Sequence, residues 1–324
     1  MMKTYEMDLC SGSLWKKILL FSVPLMFSNI LQVLFNMSDV AVVGKFAGPI
    51  ALGAVGSTSI LVTLFTGLII GLSGGVNALT ALHIGSKNDR DLKETVHTSV
   101  ILCFSAGMLI LVFGILFAHT ILTVMHTKDE LILDAVLYLR IYLLGMPALG
   151  LYNFGSAVLS AAGDTRRPLY YLLFSGIVNV LLNLYFVIVC RWDVAGVAAA
   201  SVISQYLSAI LILTVLIRSR EAFALRMGSL KLYPDKMRRI LKIGVPAAFQ
   251  NGLFAIANLF VQASVKAAIA YPDVRILSCS LNTSHRYIRT YYSRMHEAKF
   301  LMGAIAGAMA ENNRLTYIAD YPIY

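Results

Sequence analysis

Trp15-Lys-Lys-Ile-Leu-Leu-Phe-Ser-Val-Pro24-Leu-Met-Phe-Ser-Asn29-Ile-Leu-Gln32-Val-Leu-Phe-Asn36-Met-Ser-Asp39-Val-Ala-Val-Val-Gly44 is the stretch whose reading decides the fold. At about 1.5 Å per residue, the segment from Lys17 to Val43 is long enough to cross a hydrocarbon core about 30 Å thick. It enters on paired lysines, contains a proline, and keeps one carboxylate, Asp39, in its second half. An acid inside a bilayer helix is costly, so such residues face a cavity or a partner. The opening of this stretch returns downstream without a gap. Arg239-Ile-Leu-Lys-Ile-Gly-Val245-Pro246-Ala-Ala-Phe249-Gln-Asn251-Gly-Leu253 lies over Lys17 to Leu31, and Asn258 then falls on Asn36. One repeat therefore begins at Trp15 and a second near Met237.

The composition agrees with a lipid-embedded chain: 58% of residues are hydrophobic, 14% are charged, and the mean hydropathy is +0.74. A soluble domain of this length has too little interior for so many apolar side chains. The formal net charge of +10 is no sign of nucleic acid, because the bases gather in loops on one side of the spans. Cys10, Cys103, Cys190 and Cys279 have neither metal-ligand nor redox spacing. The first apolar run has span length and lacks a small-residue cleavage site, so no cleavable signal peptide is expected.

Taken in order, residues 1–14 form a short cytoplasmic lead, and residues 15–217 form a six-helix transmembrane lobe. The second span, about Ala51 to Leu82, is rich in small residues, which let helices approach closely in lipid. The third runs from about Val96 to Met125. The fourth covers about Leu133 to Ala162 and should kink at Pro147. Ala162-Gly163-Asp164-Thr165-Arg-Arg-Pro168 is a strong turn signal: glycine stops one helix, Asp or Thr caps the next, and proline sits in its first turn. Leu169 to Cys190 and Val194 to Ile217 complete the set. Residues 218–239 read as a basic cytoplasmic linker, and 240–265 as the first helix of a second lobe. Loop bases number sixteen on one side (Lys3, Lys16, Lys17, Lys87, Arg90, Lys93, Arg166, Arg167, Arg218, Arg220, Arg226, Lys231, Lys236, Arg238, Arg239, Lys242). The other side has three (Lys45, Lys128, Arg191), which places the N-terminus in the cytoplasm. Residues 266–324 are polar, basic and tyrosine-rich, with no apolar run of span length. The favoured explanation is a truncated or frame-shifted reading of a longer protein; the rival is a genuine extramembrane tail.

No nucleophile–base arrangement, Walker A loop, dinucleotide glycine pattern or metal-ligand cluster is present, so no enzyme and no cofactor are expected. Without a Walker A loop, any transport is expected to draw on an ion gradient. Asp39 is the leading candidate for chemistry: charged, it holds a cation, and protonated, it releases one. The alternative places it in water at the mouth of its span. Asn36 and Gln32 stand three and seven residues before it, on the same helix face. Asn179 and Asn183, four apart on span five, are either pathway residues or packing hydrogen bonds between helices. Arg140 either pairs with an acid or snorkels.

Several of these pieces resemble the multidrug and toxic compound extrusion (MATE) family of cation-coupled efflux transporters. The first is Pro24 with Asn36-Met-Ser-Asp39 and Gly44. A second is Gly71-Leu-Ser-Gly-Gly75, leading to Gly85-Ser-Lys-Asn88. A third is the loop Ala162-Gly-Asp-Thr-Arg-Arg-Pro168. The last is Asn179-Val-Leu-Leu-Asn183, followed by Gly196-Val-Ala-Ala-Ala-Ser201 and Ser204-Gln205. Together they cover roughly residues 10 to 265. The resemblance implies an all-α integral membrane protein with two six-helix lobes that rock between inward- and outward-open forms, and the offset repeat fits that logic. It further implies Asp39 as the acid of the first lobe, with Gln32, Tyr138, Asn179, Asn183 and Ser201 around it. Some relatives carry a second acid where this chain has Asn183, which leaves Na+ or H+ open as the coupling ion. Organic cations or drugs exported across the plasma (inner) membrane are the implied substrates. A lipid-linked or polysaccharide exporter of related architecture, or a non-transporting membrane fragment, are the other readings kept.

Overall fold

In a computed structural model the described residues are 14–125, 127–226, 228, 230–270, 276–279 and 288–291, and the side chains of residues 14–18, 29, 33, 36, 254–256, 258–270, 276–279 and 288–291 lie outside the description. The helices are α1 (Leu14–Phe46), α2 (Gly48–Gly85), α3 (Asp89–Val124), α4 (Asp129–Leu143), α5 (Met146–Ala161), α6 (Arg166–Leu184), α7 (Asp193–Arg218) and α8 (Pro234–Ala270). A π-helical turn, Tyr185–Val189, continues α6. Among the described residues, α1, α2, α3, α6 with its π turn, and α7 are long and apolar enough to cross a membrane. The pair α4 and α5, bent by 44°, makes a sixth when taken together as one broken span. This is the all-α multi-pass architecture that hydropathy alone suggests.

The ends of these helices follow from local chemistry. Asn88 caps α3 by accepting the Asp91 N–H on its side chain at 3.2 Å, and Asp89 and Asp91 in the first turn complement the helix dipole. After α5 the chain reverses at Gly163 with φ +88°, a conformation that a side chain resists. Asp164 then caps α6: its Oδ1 accepts the N–H groups of Arg166 (3.2 Å) and Arg167 (3.1 Å), while Oδ2 pairs with Arg167 Nε at 2.9 Å. The kink expected at Pro147 becomes a full break at Leu144–Gly145, with the proline in the first turn of α5. Tyr206 on α7 donates to the freed Leu144 carbonyl at 3.1 Å, so a neighbouring helix satisfies the broken ladder.

Two apolar clusters hold this unit together. One joins α1, α2, α4 and α7 through residues such as Val43, Phe65, Leu139 and Val197. The other joins α2, α3, α5 and α7 to Leu225 and Ile240 through Val76, Val96, Phe154 and Ile212. Two departures from the sequence reading concern the stretch after α7. Residues 219–233 are not a bare linker, since Phe223, Ala224 and Leu225 are buried. Helix α8 begins at Pro234, ahead of residue 240. Residues 1–252 form one compact unit. The second unit, residues 253–324, contains the end of α8 and two four-residue strands, β1 (Ile276–Cys279) and β2 (Ile288–Tyr291), paired in parallel. Residues 1–13 of the expected lead 1–14 and the rest of the tail lie outside the described residues, while Leu14 opens α1.

Candidate functional site

Asp39 is buried, at 7% exposure, on the inner face of α1. Its position follows from how α1 lies on α6. The Phe35 ring fills the place that a Cβ at Gly176 would take, so only glycine at 176 lets the two helices come this close. At the other end of α1, Thr165 donates its hydroxyl to the Phe21 carbonyl at 3.3 Å, one turn before Pro24. The carboxylate therefore arrives at a fixed depth between α6 and α7.

Both of its oxygens are engaged. Asn183 Nδ2 donates to Oδ1, and Ser201 Oγ donates to Oδ2 at 3.1 Å. Asn183 Nδ2 also donates to Asn179 Oδ1 at 3.2 Å, and Asn179 Nδ2 donates to Ser201 Oγ at 3.3 Å. Four side chains from α1, α6 and α7 thus form a closed ring of polar contacts in an apolar interior, where each contact counts for more than in water. The Asn183 Oδ1 atom is buried and has no hydrogen-bond partner among the described residues. A buried acceptor left unpaired is costly, so a donor or a cation beside it would be stabilising.

The sequence candidates divide accordingly. Asp39, Asn179, Asn183 and Ser201 meet. Burial rules out the alternative of a water-bathed acid at the mouth of the span. Tyr138 is buried on α4 in the cluster that contains Val42 and Val43, and it stacks on Tyr142 with ring centroids 5.8 Å apart. Gln32 is half-buried on α1 and makes no hydrogen bond to the ring of four among the described residues. The Asn36 side chain lies outside the described residues. Arg140 is exposed and has no acidic partner among the described residues, which favours snorkelling. Tyr142 was not among the candidates. Its place one turn after Tyr138 on the same face was the available signal. Among the described residues no three His, Cys, Asp or Glu side chains gather as a metal site.

A buried, amide-ringed acid inside six spans defines a multi-pass membrane protein with a polar centre. The chain belongs to the MatE family, whose profile matches residues 24–185, half of its length. It is 29% identical over 265 residues to the probable multidrug resistance protein YpnP of Bacillus subtilis (strain 168), covering 80% of this chain and 58% of that protein. To the probable multidrug resistance protein YoeA of the same organism it is 30% identical over 258 residues, covering 77% and 55%. A crystal structure of MATE in the bent conformation shares the fold with a TM-score of 0.73 at 24% identity, covering 80% of this chain and 57% of that one. The chain thus spans little more than half the length of the relatives it matches. Its family is one of transporters rather than enzymes.

Proposed function

We propose that this chain is the ion-coupling lobe of a multidrug efflux transporter, in which Asp39 exchanges a coupling cation, Na+ or H+, against organic cations or drugs. The observation that carries the reading is the Asp39 carboxylate held between Asn183 and Ser201 inside the bundle. A carboxylate with two amide oxygens and a hydroxyl nearby is a hard oxygen donor set, suited to Na+, and the same carboxyl takes a proton. Of these, the unpaired Asn183 Oδ1 is the acceptor free for such an ion. Asp39 is the ion's counter-charge, Asn183 and Ser201 hold the carboxylate's orientation with Asn179 bonded to both, and the apolar walls keep water from competing. Its setting is the plasma (inner) membrane with a cytoplasmic N-terminus, on the strength of the loop bases. Names carried by YpnP and YoeA support drugs as the exported class.

The test is flux of a fluorescent organic cation in proteoliposomes under imposed Na+ or H+ gradients, with Asp39→Asn alongside. Gradient-driven flux that needs Asp39 is the expected result; flux indifferent to the substitution sinks the reading. A chain that is stable in the membrane but moves nothing would favour the non-transporting fragment. The lipid-linked exporter reading is the weaker one, because Arg140, a cation well inside the spans, is exposed rather than beside the ring of four.

A further inference from the structure

Lys236, near the start of α8, is buried at 7% exposure, which is unusual for a lysine in a segment that reads as a basic loop. Its Nζ lies 2.6 Å from Asp91 Oδ1 and 4.0 Å from Glu94 Oε2, both in the first turns of α3. The acids are themselves held in place. Asn88 donates to Asp91 Oδ2 at 3.1 Å, and Arg90 Nε lies 3.2 Å from Glu94 Oε1. Leading into this ion pair, residues 219–233 bind α3 and α7 by their backbone. Leu225 N–H donates to the Leu216 carbonyl at 3.0 Å, Arg226 N–H to His97 Nε2 at 3.4 Å, and Tyr233 N–H to Thr98 Oγ1 at 3.1 Å. Beyond the ion pair, α8 lies in a groove of α2. A Cβ at Gly71 would overlap the backbone of Ala248, one at Gly75 would overlap Ile240 and Gly244, and Asn251 Nδ2 donates to the Gly67 carbonyl at 3.2 Å.

We propose that the strap 219–233 and the Lys236 ion pair form a clasp that seats residues 234–252 in the α2 groove. A solvated linker would leave its N–H groups to water and its lysine exposed. Here three backbone donors are used on fixed side-chain and backbone acceptors, and the buried Lys236 Nζ meets two carboxylates that are already held in place. Small residues in the groove supply close contact but no direction along it, since apolar packing in lipid is nonspecific. The ion pair fixes the register. The inference concerns how α8 is held and stands whichever ion or drug is carried.

Position 67 offers a direct readout, because a Cβ built there would lie 3.3 Å from the Asn251 Cβ, close to disulfide spacing. In the full chain with its four native cysteines replaced, Gly67→Cys with Asn251→Cys should cross-link readily under mild oxidant. Adding Lys236→Met should slow cross-linking about tenfold, since Asp91 and Glu94 then have no ammonium to hold against α3. Exchanging the charges, Lys236→Asp with Asp91→Lys, should restore much of the rate. Should Lys236→Met fail to accumulate, Thr98→Val, which removes the acceptor for Tyr233 and the hydroxyl bond to the Glu94 carbonyl, takes its place, with a slowing of about two- to fivefold. Trypsin cleavage after Arg226, in detergent, should rise in step, while cleavage after Lys128 between α3 and α4 stays constant; general unfolding would raise both. Unchanged cross-linking in the tested variant, an exchange no better than the single change, or a parallel rise at Lys128 overturns the proposal.

Discussion

Helices α1 and α8 open on matching residues, yet the two are held in different ways. Pro24 and Pro246 take the same place in each. On α8 the matched face is small: Gly244 and Ala248 lie in the α2 groove, and Ala248 is 9% exposed. On α1 the corresponding residues are Ser22 and Met26, and Met26 is 60% exposed. Further along, α1 turns Asp39 inward against Asn183 and Ser201, whereas the repeat has Val261 at the matching position in sequence. One copy therefore carries the charge and the other supplies an anchor. Side-chain size at two positions and one carboxylate separate them, while the shared proline and apolar pattern make both helices.

The largest effect should come from erasing what only α1 has. Asp39→Asn should lower gradient-driven flux by about 5–150-fold, the range usual for coupling between two sites, and proteoliposome transport would measure it. Next comes the donor that holds the acid. Asn183→Leu removes a hydrogen bond to a buried carboxylate and should cost about 1.5–3 kcal/mol, read as a lower melting temperature in detergent. Giving α8 the residue of α1, Ala248→Met, forces a long side chain onto a helix seated against Gly71 and should cost about 1–3 kcal/mol in the same assay. The reverse exchange, Met26→Ala on an exposed face, should stay within about 0.5 kcal/mol. If the two exchanges cost the same, the contrast between the helices fails. Larger than that reverse exchange but smaller than the others, Thr165→Val removes the hydroxyl that binds the Phe21 carbonyl and should cost about 0.5–1.5 kcal/mol.

Much of this was legible in the sequence, for reasons that can be named. Six spans follow from apolar runs of sufficient length, and the Gly163 turn follows from residues whose backbone preferences are strong. Asn179 and Asn183 were readable as one face because four residues make about one helical turn. That this face meets Asp39 is a long-range fact, carried in the sequence only by the resemblance to relatives. Lys236 shows the limit. Counted among the loop bases it supports an orientation, but its burial depends on Asp91 and Glu94, far away in the chain and unremarkable there. Pro147 gave the kink but not the break at Leu144–Gly145, which rests on Tyr206 reaching across from α7.

Infrared difference spectroscopy of the Asp39 carboxyl tests the central claim most directly. Adding Na+, or stepping the pH, to purified chain should change a carboxyl band in the native protein, and Asp39→Asn should abolish that change. The same difference spectrum from both proteins would mean that the buried acid binds neither ion and that its ring of partners serves packing alone.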